Sequence, residues 1–227
     1  MNTRLPDIVL FDLDGTLIDS VPDIATAVNA MRTSFGMPEV PVARVRSWVG
    51  RGLSTLMHRA LTDDDDGVAD PGDHEESIRV FRGHYRRCCA QHTSVFDGGE
   101  DMLSWLAASP IKVAIVTNKP TSFAAQIVKS LGIDRHLDGL LGAESHRPLK
   151  PDPSPLREAV DHLGGGSAWM VGDTRFDRDA AIAAGIPFIG VQLEGDQGRN
   201  IADIVDSDEP VFSSLRDLHD WLRVRLD

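Results

Sequence analysis

Asp12 and Asp14 stand one residue apart in the run Val9-Leu10-Phe11-Asp12-Leu13-Asp14-Gly15-Thr16-Leu17. Ile8 to Phe11 reads as a short buried strand, so both carboxylates fall where a strand runs out into a turn. A carboxylate in that position can serve as a covalent nucleophile, and a second beside it can handle protons. An Asp- and Gly-containing turn that merely closes a strand has the same composition. The pair therefore needs other reactive groups beside it before it signifies chemistry.

Those groups occur later in the chain. Thr117-Asn118-Lys119 ends an apolar run that starts at Lys112. Lys150 stands in the loop Leu149-Lys150-Pro151-Asp152-Pro153. Gly172-Asp173-Thr174-Arg175-Phe176-Asp177 ends a further run and opens a helix. Together they offer two catalytic carboxylates, a hydroxyl with backbone donors, a cation and a second acidic pair. Oxygen ligands of this kind suit Mg²⁺, which keeps several waters and shares substrate phosphate oxygens. A Gly-Asp turn or a single lysine is weak by itself; the order and spacing of all four carry the signal.

The elements that must position them alternate. After Asp14 the pattern turns helical: Val21 to Phe35, opened by Ser20 and Pro22 and closed by Gly36, then Val42 to Val49, Leu53 to Leu61 and Asp73 to Gln91. Residues 20–93 form a helical block with no clear strand. From Phe96 onward strands alternate with helices. The strands are Lys112–Thr117, Leu140–Ala143, Ala168–Gly172, Pro187–Val191 and Val211–Phe212. The intervening helices are Glu100–Ala108, Thr121–Leu131, Pro155–Leu163 and Asp177–Ala184, with Leu215–Val224 last. That alternation predicts an α/β fold, a parallel sheet covered on both faces. Ligands bind such sheets outside the carboxyl ends of the strands, where Asp12, Thr117 and Asp173 fall.

Composition narrows the function. The 227 residues carry a net charge of −12, which would repel a nucleic acid, and 41% hydrophobic residues suffice for a core. No apolar run approaches the roughly 20 residues of a membrane span, and Met1 to Asp7 lacks the apolar stretch of a secretory signal. The two cysteines, Cys88 and Cys89, are adjacent on a helix and poorly placed to bridge, which suits a reduced, cytoplasmic protein. Asp63 to Asp66 lacks the alternating spacing of a calcium loop and reads as a solvated connection. His58, His84 and His92 read as surface or structural residues, and Trp48, Trp105 and Trp169 as packing. Monomer and homodimer are both open.

The run Asp12-Leu13-Asp14-Gly15-Thr16-Leu17, then Thr117, Lys150, and Gly172-Asp173 with Asp177, resembles the haloacid dehalogenase superfamily of phosphohydrolases over essentially the whole chain. Within it the chain looks most like phosphoglycolate phosphatases. That finer likeness rests on Val49-Gly50-Arg51-Gly52 with Leu56-Met57, on Val116-Thr117-Asn118-Lys119-Pro120, and on Lys150-Pro151-Asp152-Pro153 with Pro155-Leu156. The resemblance implies a Rossmann-like catalytic core of residues 1–19 and 94–227 with an inserted helical cap domain at 20–93. The linkers would lie near Thr16–Val21 and Thr93–Asp97. It implies that Asp12 attacks phosphorus to form an aspartyl phosphate, and that Asp14 protonates the leaving oxygen and then activates water. It further implies that Thr117 and neighbouring amides hold a phosphoryl oxygen and that Lys150 neutralises charge. Mg²⁺ would take Asp12, the Asp14 carbonyl and Asp173, with Asp177 supporting a metal-bound water or Lys150. Asn118, Lys119 and Arg51 are candidate substrate contacts; Arg51 is equally suited to be a turn residue, and Arg175 either meets phosphate or caps its helix.

Two features depart from the resemblance. Phe176 stands where related phosphatases often carry Asn, and Val191-Gln192-Leu193-Glu194 lacks the Gly- and Tyr-rich loop expected of a close phosphoglycolate phosphatase. Rival chemistries are weighed against the same residues. A dehalogenase needs neither Asp14 nor a metal. A phosphonoacetaldehyde hydrolase needs a cap lysine, and the four lysines (Lys112, Lys119, Lys129, Lys150) leave residues 21–96 without one. A non-catalytic phosphate sensor would not need both Asp12 and Asp14. A phosphomutase would keep water from the same intermediate, and a sugar phosphate such as N-acetylmuramic acid 6-phosphate is the alternative substrate to 2-phosphoglycolate.

Overall fold

The computed structural model describes residues 6–193, 201, 205–207 and 209–226; Glu194 and the segment Met1–Leu5 lie outside them. Strand β1 (Ile8–Phe11) is followed by a two-residue strand β2 (Ile18–Asp19), then helices α1 (Val21–Ser34), α2 (Val42–Trp48), α3 (Leu53–Thr62) and α4 (Pro71–Cys88). A second two-residue strand, β3 (Ser94–Val95), leads to α5 (Gly99–Ala107). From there β4 (Lys112–Pro120), α6 (Thr121–Ser130), β5 (Gly139–Ala143), α7 (Ser154–His162), β6 (Ala168–Gly172) and α8 (Arg175–Ala184) alternate, and β7 (Phe188–Val191), β8 (Val211–Phe212) and α9 (Leu215–Leu226) close the chain.

Among the described residues, six strands pair in the order β5-β4-β1-β6-β7-β8, all parallel. Parallel strands buried on both faces read as continuous apolar runs, and all four residues of β1 are fully buried. Their side chains alternate between faces. Val9 and Phe11 join the cluster that includes Met102, Phe123 and Leu218 from α5, α6 and α9. Ile8 and Leu10 join the one that includes Leu156 and Ala180 from α7 and α8. No helix of the described residues is long and apolar enough to cross a membrane.

Three of the differences from the sequence-based expectation have physical causes. β2 and β3 pair antiparallel, Ile18 with Val95 and Asp19 with Ser94, at the two expected linkers; two-residue strands carry no periodicity to detect. β4 runs on to Pro120 because Pro120 pairs with Ala143, after a register break beyond Val116. Thr117, Asn118 and Lys119 thus lie within a strand where its ladder is irregular, a common device for re-aiming side chains. Helix α8 starts two residues earlier than expected, at Arg175. Its N-cap is Thr174, which forms a reciprocal capping box with Asp177. Ser20 precedes α1 but makes no side-chain cap bond there.

Other expectations are met. Trp48 and Trp169 are buried and Trp105 half-buried. Cys88 and Cys89 are buried free thiols. Asp63 and Asp65 remain exposed but pair with Arg44.

Candidate active site

The carboxyl ends of β1, β4 and β6 converge beneath the helical block, and a cavity opens between them. Asp12 follows β1 directly; its backbone N–H donates to the Val171 carbonyl, which fixes it beside β6. Asp12 is 7% exposed. Burial pushes its carboxyl up to about pH 6 from the usual 3.8, against the opposing pull of the Lys150 ammonium. Lys150 Nζ lies 2.9 Å from Asp12 Oδ1, 2.5 Å from Asp177 Oδ1 and 2.6 Å from the Val116 carbonyl. Burial works against the ammonium, but Asp12 and Asp177 hold its pKa above the ordinary lysine value, so it stays charged.

Asp177 serves two elements at once. One oxygen meets Lys150; the other accepts from the Thr174 backbone N–H (3.0 Å) and hydroxyl (2.6 Å) at the start of α8. A Cβ on Gly172 would lie 2.4 Å from the Asp177 Cβ; glycine lets the helix start approach the strand end this closely. Thr16 donates its hydroxyl to Asp173 Oδ1 at 2.8 Å. Gly15, at φ +93°, lies so near Asp173 that a Cβ would fall 2.4 Å from its Oδ2. The loop after β1 and the end of β6 are thereby pinned together.

Oxygens of Asp12, Asp173 and Asp177 lie within 4.8 Å of one another, all three residues buried. Three carboxylates share this small volume with the Lys150 ammonium, and hard oxygen donors are what a divalent cation such as Mg²⁺ takes. The residues fit such an ion. The Asp14 side chain belongs to a different pair. Lys119 Nζ reaches its two oxygens at 2.9 and 3.0 Å, and the Ser20 hydroxyl donates to Oδ1. Burial opposes the Lys119 charge, yet Asp14 holds the pKa of Lys119 above its ordinary value.

Thr117 is buried beside these groups and its hydroxyl accepts from the Lys119 N–H. Asn118 spends its side-chain amide inside the protein: Oδ1 accepts from Lys150 N–H at 2.8 Å, and Nδ2 donates to the Lys150 and Gly50 carbonyls at 3.0 and 3.2 Å. Arg51 is exposed, with its guanidinium 5.3 Å from the Phe176 ring centroid; it is absent from the described residues lining the cavity. Arg175 is also exposed and stands 3.7 Å from Asp179, one turn on along α8. Asp12, Asp14, Thr117, Asn118, Lys119, Lys150 and Asp177 all line the cavity. The sequence reading passed over Thr16, Ser20 as a partner of Asp14, Thr174, and Tyr85. Thr16 and Thr174 lie within two residues of recognised acids in sequence, whereas Ser20 is six residues from Asp14; Tyr85 is signalled only by being the chain's one tyrosine.

Known proteins share this architecture. A family model for haloacid dehalogenase-like hydrolases matches residues 9–191. Phosphoglycolate phosphatase 1 of Pseudomonas aeruginosa is 37% identical over 220 residues, 95% of this chain and 79% of the relative. A phosphoglycolate phosphatase of Neisseria meningitidis is 38% identical over 218 residues, 95% of this chain and 93% of its own. The crystal structure of a predicted phosphoglycolate phosphatase from Haemophilus somnus superposes with a TM-score of 0.84 at 26% identity, covering 98% of this chain and 99% of its own. With its acids at the ends of β1 and β6 and its lysine between them, the chain belongs to the haloacid dehalogenase-like hydrolases.

Proposed function

We propose that this hydrolase is a Mg²⁺-dependent phosphatase that cleaves a small phosphomonoester, 2-phosphoglycolate first, through an aspartyl phosphate on Asp12. One observation carries the reading: a buried carboxylate at a parallel strand end, 2.9 Å from a buried ammonium and grouped with two further acids. The curated relatives that share 34–39% identity bear the name phosphoglycolate phosphatase, which supports the substrate.

The chemistry follows from charge. A carboxylate approaches a phosphate dianion only where cations offset the repulsion. Lys150 supplies one positive charge at Asp12. A bound Mg²⁺, held by Asp12, Asp173 and Asp177 with the Asp14 carbonyl, would supply Lewis acidity and the remaining charge. Asp12 attacks phosphorus and the P–O bond to the alcohol breaks. Asp14, which takes up a proton before this step, gives it to the departing oxygen and then takes one back from the water that cleaves the acyl phosphate. Thr117 orients the phosphoryl group from the wall of the cavity. Residues 20–93 act as a cap that excludes bulk water during the first step. Cys88 and Cys89, buried as free thiols, suit a cytoplasmic location.

Phosphate release from a panel of small phosphomonoesters, with Mg²⁺ and with EDTA, tests the reading. A Mg²⁺-dependent preference for 2-phosphoglycolate is expected, and Asp12→Asn should lose release while keeping its circular dichroism spectrum. Preference for sugar phosphates would move the substrate and keep the mechanism. Isomerised product without free phosphate would make the chain a mutase. A folded Asp12→Asn protein with substantial turnover would remove Asp12 from its role.

A further inference from the structure

The helical block contributes an almost wholly apolar ceiling to the cavity. Ile24, Val49, Leu53, Leu56 and Phe81 line it together with the glycines of the Gly50–Gly52 loop. Among the described residues of the block that line the cavity, Tyr85 alone carries a polar side-chain group. Tyr85 is 2% exposed; the Lys119 ammonium lies beside it, and its hydroxyl makes no hydrogen bond of good geometry among the described residues. Native proteins rarely leave a buried polar atom in that state, because it forfeits its hydration without compensation.

The ring is held firmly. It stacks on Phe81 at 5.1 Å between centroids and meets Phe123 edge-on at 4.9 Å. Lys119 Nζ lies 5.0 Å from its centroid and also donates to both Asp14 oxygens. Burial keeps the phenol protonated despite the nearby ammonium. The hydroxyl is thus a fixed, neutral donor on the same side of the cavity as the Asp14–Lys119 pair.

We propose that Tyr85 is the specificity residue of the helical block, donating its hydroxyl to a carboxylate oxygen on the leaving-group side of the substrate. This deepens the phosphatase reading and rests on it. The ceiling favours a short leaving group with one acidic end, because Tyr85 and Lys119 can serve such an end. A polyol would set several hydroxyls against apolar side chains with one partner among them, at a cost of order 1–3 kcal/mol for each hydroxyl left unmet. Selection against sugars then needs no clash; it needs only the absence of partners.

The test compares kcat/KM for 2-phosphoglycolate with that for ethyl phosphate, which lacks the carboxylate, in the wild-type protein and in Tyr85→Phe. The wild-type ratio should favour 2-phosphoglycolate, and Tyr85→Phe should lower that ratio by about 10-fold or more, as expected for loss of a hydrogen bond to a charged acceptor. The variant's Tm should not fall, since the lost hydroxyl makes no hydrogen bond of good geometry among the described residues. A wild-type preference for 2-phosphoglycolate with an unchanged ratio in Tyr85→Phe would overturn this inference alone. A lower Tm with an unchanged ratio would show a structural hydroxyl and overturn it as well. A wild-type protein indifferent to the carboxylate, or one that prefers a sugar phosphate, would overturn the substrate reading and the role of Tyr85 together.

Discussion

Asn118 and Lys150 grip one another in both directions: Lys150 N–H donates to Asn118 Oδ1 and Asn118 Nδ2 donates back to the Lys150 carbonyl. The same Nδ2 reaches the Gly50 carbonyl in the loop between α2 and α3. One side chain on β4 therefore fixes the backbone of the lysine that faces Asp12 and tethers the ceiling above it. Asn118→Ala should lower kcat by about 10- to 100-fold, the range seen when a supporting residue behind a metal or catalytic group is removed. The KM should change less than kcat. Steady-state kinetics on a variant shown to be folded will check this, and an unchanged kcat would deny the tether a part in catalysis.

The Asp14–Lys119 pair invites a double-mutant cycle. Both side chains are largely buried, 11% and 5% exposed. Removing one partner strands the other charge, at about 3–5 kcal/mol for a buried pair. Lys119→Met should therefore cost more stability alone than when combined with Asp14→Asn. Chemical denaturation of the two single variants and the double variant measures the coupling. Additive losses would mean that the two groups do not interact in solution. Asp14→Asn should separately remove most turnover if Asp14 handles protons as proposed.

Metal binding should depend on pH through Asp12. Its carboxyl in the folded protein titrates at about 6, above the ordinary 3.8, chiefly because it is buried. A raised value means that the folded site holds a proton more tightly than a free aspartate does. Proton and Mg²⁺ then compete for the same oxygens. The Mg²⁺ concentration for half-maximal binding should be flat well above pH 6 and climb toward about tenfold per unit below it. Titration calorimetry between pH 5 and pH 8 reads this directly, and a constant affinity across that range would exclude competition at Asp12.

Asp23 carries an acid-stability prediction. It is fully buried on α1 and accepts from the backbone N–H groups of Gln91, His92 and Thr93 and from the Thr93 hydroxyl. Burial alone would raise its pKa, but the N–H of His92 and the other donors outweigh it and hold it below 3.8. A depressed value contributes stability that is present above the unfolded pKa and lost as pH falls through the folded one. Asp23→Ala should cost about 2–4 kcal/mol at neutral pH, and the difference from wild type should shrink below about pH 4. Denaturation at pH 7 and pH 3 compares them; an equal loss at both would contradict an ionised clamp.

The strand ends were legible because Ile8–Phe11, Ile115–Thr117 and Trp169–Gly172 are apolar runs that stop at reactive residues. The same runs dictated the parallel sheet. Partnerships were less legible. Nothing local to Ser20 says that it serves Asp14 rather than the first turn of α1. Lys119 meets Asp14 across 105 residues, and Thr16 meets Asp173 across 157. Tyr85 occupies an ordinary core position of an amphipathic helix, and only the fold shows it to be, among the described residues, the one polar side chain that the helical block sets into the cavity wall, beside Lys119. Arg51 drew attention for its charge between two glycines, whereas the fold lays it over Phe176 at the surface.

The pairing of β2 with β3 brings the outgoing and returning chain side by side, so that Ile18 and Val95 stand about 5 Å apart as opposed residues of an antiparallel ladder. Everything between them leaves and returns through this separate two-stranded doorway. Excision of that whole segment would leave two strand ends that a hairpin turn of about two to five residues can close. The acids and Lys150 are all supplied from outside the excised stretch. A helical segment of different size or lining, spliced in at the same doorway, would leave Asp12, Asp14, Lys150, Asp173 and Asp177 untouched beneath it.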